Sequence, residues 1–281
     1  MIVKGGDSSI TFKVDETLPV NDFYKHVTEG LDKWEPDTFH VLDLFKNDDG
    51  ILIDIGAWIG PISLYSSSLY KKIIAIEADP VAIEGLKSNI ACSNVKNVTV
   101  ITRALSDKDN EKIAFGGNGP LGNSESSMLT NDSDYLNKEG RTTVTWKDQN
   151  HHKATVTTIK LETLINTLKI DPTKVSLIKM DIEGGEKIVL PAIKDYLMSI
   201  NVPLLMSLHP AYLQKSDIIM LVNILFDIYD KCYWINSDKE KVPIEKETIL
   251  EETDIYYSRE DRLTMMNGLP GTRYFSLLFE K

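Results

Sequence analysis

Cysteine is scarce in this chain: Cys92 and Cys232 are the only two in 281 residues. Two isolated thiols exclude a disulfide scaffold and a structural zinc site. They read as reduced, buried thiols of a cytoplasmic protein. Positive charge is also in deficit. Thirty-one Lys and Arg face 42 Asp and Glu, a formal charge of −11. No basic tract is available to neutralise a phosphate backbone, which argues against a nucleic-acid partner. Long apolar runs are missing as well. None approaches the ~18 residues of a membrane span, and Met1 to Ser9 has no apolar stretch to serve as a signal peptide. Repeats and low-complexity tracts are absent. The expectation is a cytoplasmic protein with no membrane partner and a small or neutral ligand.

What remains is an ordinary globular composition, 42% hydrophobic and 26% charged, long enough for one large domain or about two. Residues 1–50 are mixed. A short β-like opening at Ile10–Val14 leads into polar turns around Pro19 and Pro36. A helix from Asp37 follows, with Phe39, Leu42 and Phe45 at a spacing of three, and Asn47 to Gly50 ends it in a turn. From Ile51 short apolar runs alternate with amphipathic stretches. Strands are predicted at 51–55, 72–77, 98–102, 175–180 and 202–208, and helices at 59–70, 80–92 and 216–229. This alternation predicts a mostly parallel sheet covered by helices on both faces. The alternation lapses over 106–153, read as an insertion carrying a strand pair, Lys112–Phe115 with Ala154–Ile159. Pro191 predicts a helix that begins there rather than one that runs through it. Cys232–Ile235 and Thr272–Phe279 read as closing strands, the second antiparallel near an edge. Domain 1–50 is thus an N-terminal cap, and 51–281 the main α/β domain.

The segment Ile51-Leu-Ile-Asp-Ile-Gly-Ala-Trp-Ile-Gly60 is the most informative. A strand runs through a tight glycine-punctuated turn into a helix, the junction where open α/β sheets bind ligands. Gly56 permits the sharp turn, and Gly60 lets the helix start lie close to the strand or to a ligand. A dinucleotide fingerprint needs glycine at the third loop position, where Trp58 stands instead, and the P-loop lysine is missing. Glu77 ends the next strand 23 residues beyond Asp54, placed to accept both hydrogen bonds of a ribose diol. Its plainer reading is a charge at a helix N-terminus, a role that Asp79 before Pro80 fills better.

Ile53-Asp-Ile-Gly-Ala57, Glu77-Ala-Asp-Pro80, Ala104-Leu-Ser-Asp107 and Ile178-Lys-Met-Asp-Ile-Glu-Gly-Gly-Glu186, with Trp34-Glu35-Pro36 upstream, resemble the successive motifs of FkbM-type methyltransferases. The resemblance implies a class I Rossmann-like fold with a seven-stranded, mostly parallel sheet. It implies S-adenosylmethionine as cofactor and O-methylation of a hydroxyl on a sugar, glycan or other small molecule. By position, Asp54, Gly56, Ala57 and Gly60 would hold the methionine part and Glu77 the ribose. Ala104 and Leu105 would line the adenine, and Asp181 would face the transferred methyl. Trp58 and Ala78 belong to the same pocket.

Alcohol methylation needs alignment of acceptor and sulfonium and removal of a proton. Asp181 and His209, ending adjacent strands, are the predicted catalytic pair, with His209 the general base because its ordinary pKa lies near neutrality. The plainer reading of His209 is packing at a strand end. Asp181, Glu183 and Glu186 form a dense acidic segment, read either as a site for a cation or a sugar hydroxyl or, more plainly, with Glu183 and Glu186 as helix N-terminal charges and Glu186 structural. Mg²⁺ held by Asp181 and His209 is an alternative that is not expected. His151-His152 read as solvated loop residues, and Ser124–Ser127 as a lid or plain surface loop. An NAD-linked oxidoreductase and a non-catalytic Rossmann-like binding protein are the competing readings. Oligomeric state is not legible.

Overall fold

The computed structural model describes residues 1–27, 30–117, 120–129, 153–210, 212–258 and 276–281. His151-His152, Asn131–Arg141 and the first part of the predicted closing strand, Thr272 to Phe275, lie outside these. In chain order the strands are β1 (Ile2–Gly5), β2 (Ile10–Lys13), β3 (Asn47–Ile55), β4 (Tyr70–Glu77), β5 (Val98–Thr102), β6 (Ala104–Leu105), β7 (Lys112–Gly116), β8 (Lys153–Ile159), β9 (Val175–Met180), β10 (Leu204–Met206), β11 (Lys231–Ile235), β12 (Lys241–Pro243) and β13 (Leu277–Glu280). The helices are α1 (Asp22–His26), α2 (Pro36–Leu44), α3 (Pro61–Ser66), α4 (Pro80–Cys92), α5 (Leu161–Leu168), α6 (Glu186–Ser199), α7 (Lys215–Ile228) and α8 (Lys246–Ser258).

The main sheet runs β12-β11-β13-β10-β9-β3-β4-β5. β5, β4, β3, β9 and β10 are mutually parallel, while β13 is antiparallel to both neighbours. The α/β fold with a mostly parallel sheet is therefore the one expected, but the described sheet has eight strands, not seven. The extra strand is β12, an edge ribbon antiparallel to β11 that stops at Pro243, where a residue without an N–H is tolerated.

The alternation of side chains explains why these strands are apolar throughout. Ile53, Ile55, Ile74, Ile76, Ile178, Met180, Leu204, Met206 and Phe279 pack on one face with α5 to α8. Leu52, Ile73, Leu177, Leu205 and Leu278 point to the other, against α3 and residues of the N-terminal segment. Each fully buried aliphatic side chain contributes about 1.5–3 kcal/mol, so both faces must be covered. Val3, Phe12, Val14, Tyr24, Leu31, Phe39 and Leu42 supply much of the second cover, and residues 1–46 thus share the core of the sheet. The predicted pair in the insertion is present as β7 antiparallel to β8, and β6 adds parallel to β8.

Three local expectations are corrected. Asn47 to Gly50 open β3, with a register shift between Asn47 and Ile51, instead of forming a turn. The α6 helix starts at Glu186 and runs through Pro191. Proline in a helix interior costs about 3 kcal/mol, but Pro191 lies on the exposed side. Val189, Leu190, Ile193 and Leu197 are buried on the other, and their combined burial outweighs that cost. Cys92 is exposed at the end of α4, and only Cys232 is buried. Among the described residues no helix is long and apolar enough to cross a membrane.

Candidate active site

The carboxyl ends of β3, β4 and β9 open on a cleft of about 530 Å³, solvent-open space included. Gly56, Trp58, Glu77, Ala78, Ala104, Leu105 and Asp181 all line it. Gly56 has φ 84, and a Cβ on it would lie 1.8 Å from the Asp181 carbonyl oxygen. Only glycine allows the two strand ends to approach that closely.

The other predicted cofactor residues lie behind the wall. Asp54 is fully buried and accepts from Ser63 Oγ at 2.6 Å, with its Oδ1 3.9 Å from Lys179 Nζ. Ala57 is buried with Ala75 and Leu86. Gly60 faces the next helix, where a Cβ would lie 2.5 Å from Leu86. These three shape the loop without facing the cleft.

Glu77 forms part of the wall. Its carboxylate accepts from the backbone N–H groups of Trp58 at 2.7 Å and of Ala78 and Asp79 at 2.8 Å each. Burial pushes its pKa up to about 6 against the pull of those three donors. Trp58 adopts φ 49, a left-handed conformation that is rare for a bulky residue. Its indole N–H donates to the Gly122 carbonyl at 2.7 Å, and its ring packs edge-on against Phe23, 4.8 Å between centroids. Gly122 N–H and Ser126 Oγ both donate to Asp79 Oδ2 at 2.8 Å. Ser127 Oγ donates to the Glu183 carbonyl at 2.7 Å. Asn123, Ser124, Ser126 and Met128 consequently form one side of the cleft.

Ionisable groups converge below that side. His209 Nε2 is 3.1 Å from Asp181 Oδ1 and 3.6 Å from Glu183 Oε2, and its Nδ1 is 3.0 Å from Glu186 Oε1. Glu186 is fully buried and also accepts from the Ile182 N–H at 3.0 Å, which fits its structural reading. Lys179 Nζ lies 3.3 Å from Asp181 Oδ2. Burial opposes the charge on His209, but Glu183, Glu186 and Asp181 outweigh it and hold the imidazole pKa well above its ordinary value. Burial likewise opposes charge on Asp181, yet Lys179 and His209 keep its carboxyl well below the usual range. Glu183 is pushed up to about 8 by burial, with the Asp181 and Glu186 charges outweighed in part by His209. The structure thus brings Asp181 and His209 together as predicted, with the imidazole cationic and its proton already committed to carboxylates. That state is unsuited to a general base.

Sequence reading passed over Lys179, Arg103 and Phe115 as cleft residues, while Glu183 was read only as part of the acidic segment. A lysine inside an otherwise apolar strand was the available signal for the first. Arg103 and Phe115 reach the cleft through contacts that no local pattern announces.

The sequence profile of the methyltransferase FkbM domain matches residues 54–226, more than half of the chain. A ribosomal protein L11 methyltransferase of Clostridium perfringens is 36% identical over 67 residues, covering 24% of this chain and 21% of that protein. The match therefore spans about a fifth of that relative's length. A solved FkbM methyltransferase from Methylobacillus flagellatus KT aligns over 83% of this chain and 44% of its own, with 16% identity and a TM-score of 0.45. A precorrin-6y C5,15-methyltransferase from Geobacter metallireducens GS-15 aligns over 86% and 92%, with 13% identity and a TM-score of 0.37. Neither of these two structures carries the assignment. The profile match carries the assignment: the chain belongs to the FkbM methyltransferase family.

Proposed function

We propose that this protein binds S-adenosylmethionine in the cleft at the end of β3 and transfers its methyl group to a hydroxyl of a small-molecule or glycan acceptor. The observation that carries the reading is the charge of the cleft. Asp181 and Glu77 carry that charge, with Arg103 the one basic side chain among the lining residues. Such a wall attracts a ligand bearing a sulfonium and an ammonium and repels a pyrophosphate, which disfavours NAD. Glu77 retains acceptor capacity for a ribose diol beyond its three backbone donors. Ala104 and Leu105 offer an apolar surface for a base.

Asp181, ionised and held between Lys179 and His209, faces the cleft and is the group we assign to the acceptor hydroxyl. His209 is a positioning residue that fixes Asp181. Placing the acceptor oxygen against the sulfonium carbon supplies most of the rate enhancement we expect, since orientation alone is worth several kcal/mol.

Calorimetry with S-adenosylmethionine, S-adenosylhomocysteine and NAD tests the cofactor. The two methionine-derived ligands should bind and NAD should not, and Glu77→Ala should weaken binding at least ~10-fold. Absence of binding by both sulfur compounds would sink the reading. Labelled-cofactor transfer to a panel of sugars and phenols tests the reaction. Asp181→Ala should abolish transfer, and unchanged transfer in that variant would overturn its assignment.

A further inference from the structure

We propose that Asp181, Glu183 and His209 form a binding site for a divalent transition-metal cation of the manganese or zinc kind. The site adjoins the cleft of the methyl-transfer reading and does not depend on that cofactor. Donor spacing is the first support. At metal–ligand bonds of about 2.0–2.2 Å, neighbouring donors lie roughly 3.0 Å apart in octahedral geometry and roughly 3.4 Å in tetrahedral geometry. His209 Nε2 stands 3.1 Å from Asp181 Oδ1 and 3.6 Å from Glu183 Oε2, and one ligand atom from each residue lies within 4.8 Å of the others. Two of the three donor pairs thus fall near coordination spacing, and an ion bound there would replace the proton that His209 Nε2 shares with Asp181.

The second support is the group behind the imidazole. Glu186, with no exposed surface, contacts His209 Nδ1 through Oε1. A carboxylate on the far nitrogen is the arrangement that orients a metal-binding histidine and raises its basicity. It turns Nε2 toward Asp181 and Glu183, the two members that line the cleft. The same carboxylate has an oxygen left over. Glu186 Oε2 is buried without a hydrogen-bond partner among the described residues, and so is Asp54 Oδ1. Four carboxylates, Asp54, Asp181, Glu183 and Glu186, gather around one lysine and one imidazole.

The donor set also selects among ions. One imidazole nitrogen with two carboxylates suits Mn²⁺, Fe²⁺ or Zn²⁺, whereas Mg²⁺ and Ca²⁺ favour oxygen throughout. Lys179 occupies the far oxygen of Asp181 and leaves Oδ1 for the ion. An ion with only three protein ligands keeps open positions for oxygen donors from solvent or from an acceptor, so a hydroxyl or vicinal diol is the class of ligand it would recruit.

The test is titration of Mn²⁺ into chelator-treated, full-length protein, followed by electron paramagnetic resonance of the free ion. Saturation at one ion per chain below about 1 mM is expected. Glu183→Gln should weaken uptake at least ~10-fold, and Glu186→Gln, which removes only the orienting charge, by about 10–100-fold. Thermal melts establish that each variant folds. Should one not fold, wild-type NMR decides: Mn²⁺ must broaden the imidazole signals of one histidine strongly, and the same histidine must be perturbed by Zn²⁺. Failure of wild-type protein to take up Mn²⁺ or Zn²⁺ overturns the site, as does uptake unchanged in a folded Glu183→Gln. Parallel calorimetry with S-adenosylhomocysteine separates the two readings. If that ligand binds and the ions do not, the metal site alone falls. If the ions bind and it does not, the cofactor reading falls and the metal site stands.

Discussion

Glu35 turns into α2 through a left-handed backbone, φ 51, and is only partly exposed. Burial, followed by the nearby Asp181 charge, pushes its pKa up to about 7. The folded chain therefore holds a proton there between about pH 4.5 and pH 7 that the unfolded chain has lost, and this group's stabilising contribution fades as pH rises through that window. Glu35→Gln, a neutral mimic, should match the wild type near pH 5 and be the more stable protein near pH 8.5. Denaturant titrations at the two values check this, and a difference independent of pH would refute it. The sequence showed Glu35 only as part of a motif. Its environment depends on Asp181, about 150 residues away in the chain, and no local pattern encodes that. Glu77 was legible because chain spacing from one strand end to the next is set by the fold's own repeat. His209 was legible as a position but not as a charge state, because its protonation depends on three carboxylates gathered by tertiary packing.

At the scale of elements, α4 shows how one residue ties a helix to a loop. Asp79 Oδ1 accepts from Val81 and Ala82 N–H, capping the helix. Its Oδ2 accepts from Gly122 and Ser126. Asp79→Ala should cost about 1–2 kcal/mol of stability from the cap. It should also raise hydrogen exchange in residues 120–129 beyond what that loss predicts. Exchange that rises uniformly over the molecule would mean the loop does not depend on this side chain. Pro80 and the preceding acid announced this helix in the sequence, and its bounds match. Pro191 misled because the proline rule knows nothing of which face is wet, and β12 escaped because three residues give no period to read.

At the scale of the whole molecule, the doubly covered parallel sheet was the most legible feature, since strands buried on both faces must be apolar without alternation. The role of residues 1–46 was less so: their apolar positions are scattered and meet only on the sheet, beside Leu52, Leu177 and Leu205. The position of β13 was least predictable. It sits between β10 and β11, although it follows both in sequence, with Leu277 lying 71 residues after Met206 (277 − 206). Deleting residues 277–281 should leave an aggregating chain, whereas a folded, monodisperse product by light scattering would show β13 to be dispensable.

That placement has a consequence for biosynthesis. While the chain is being made, β10 and β11 emerge as two facing open edges, and among the described residues no other strand of the main sheet closes them. Until Leu277–Glu280 leaves the ribosome, each edge offers unpaired backbone to any neighbouring nascent chain. How quickly Leu277–Glu280 pairs with both edges would thus govern how much of this protein is recovered intact.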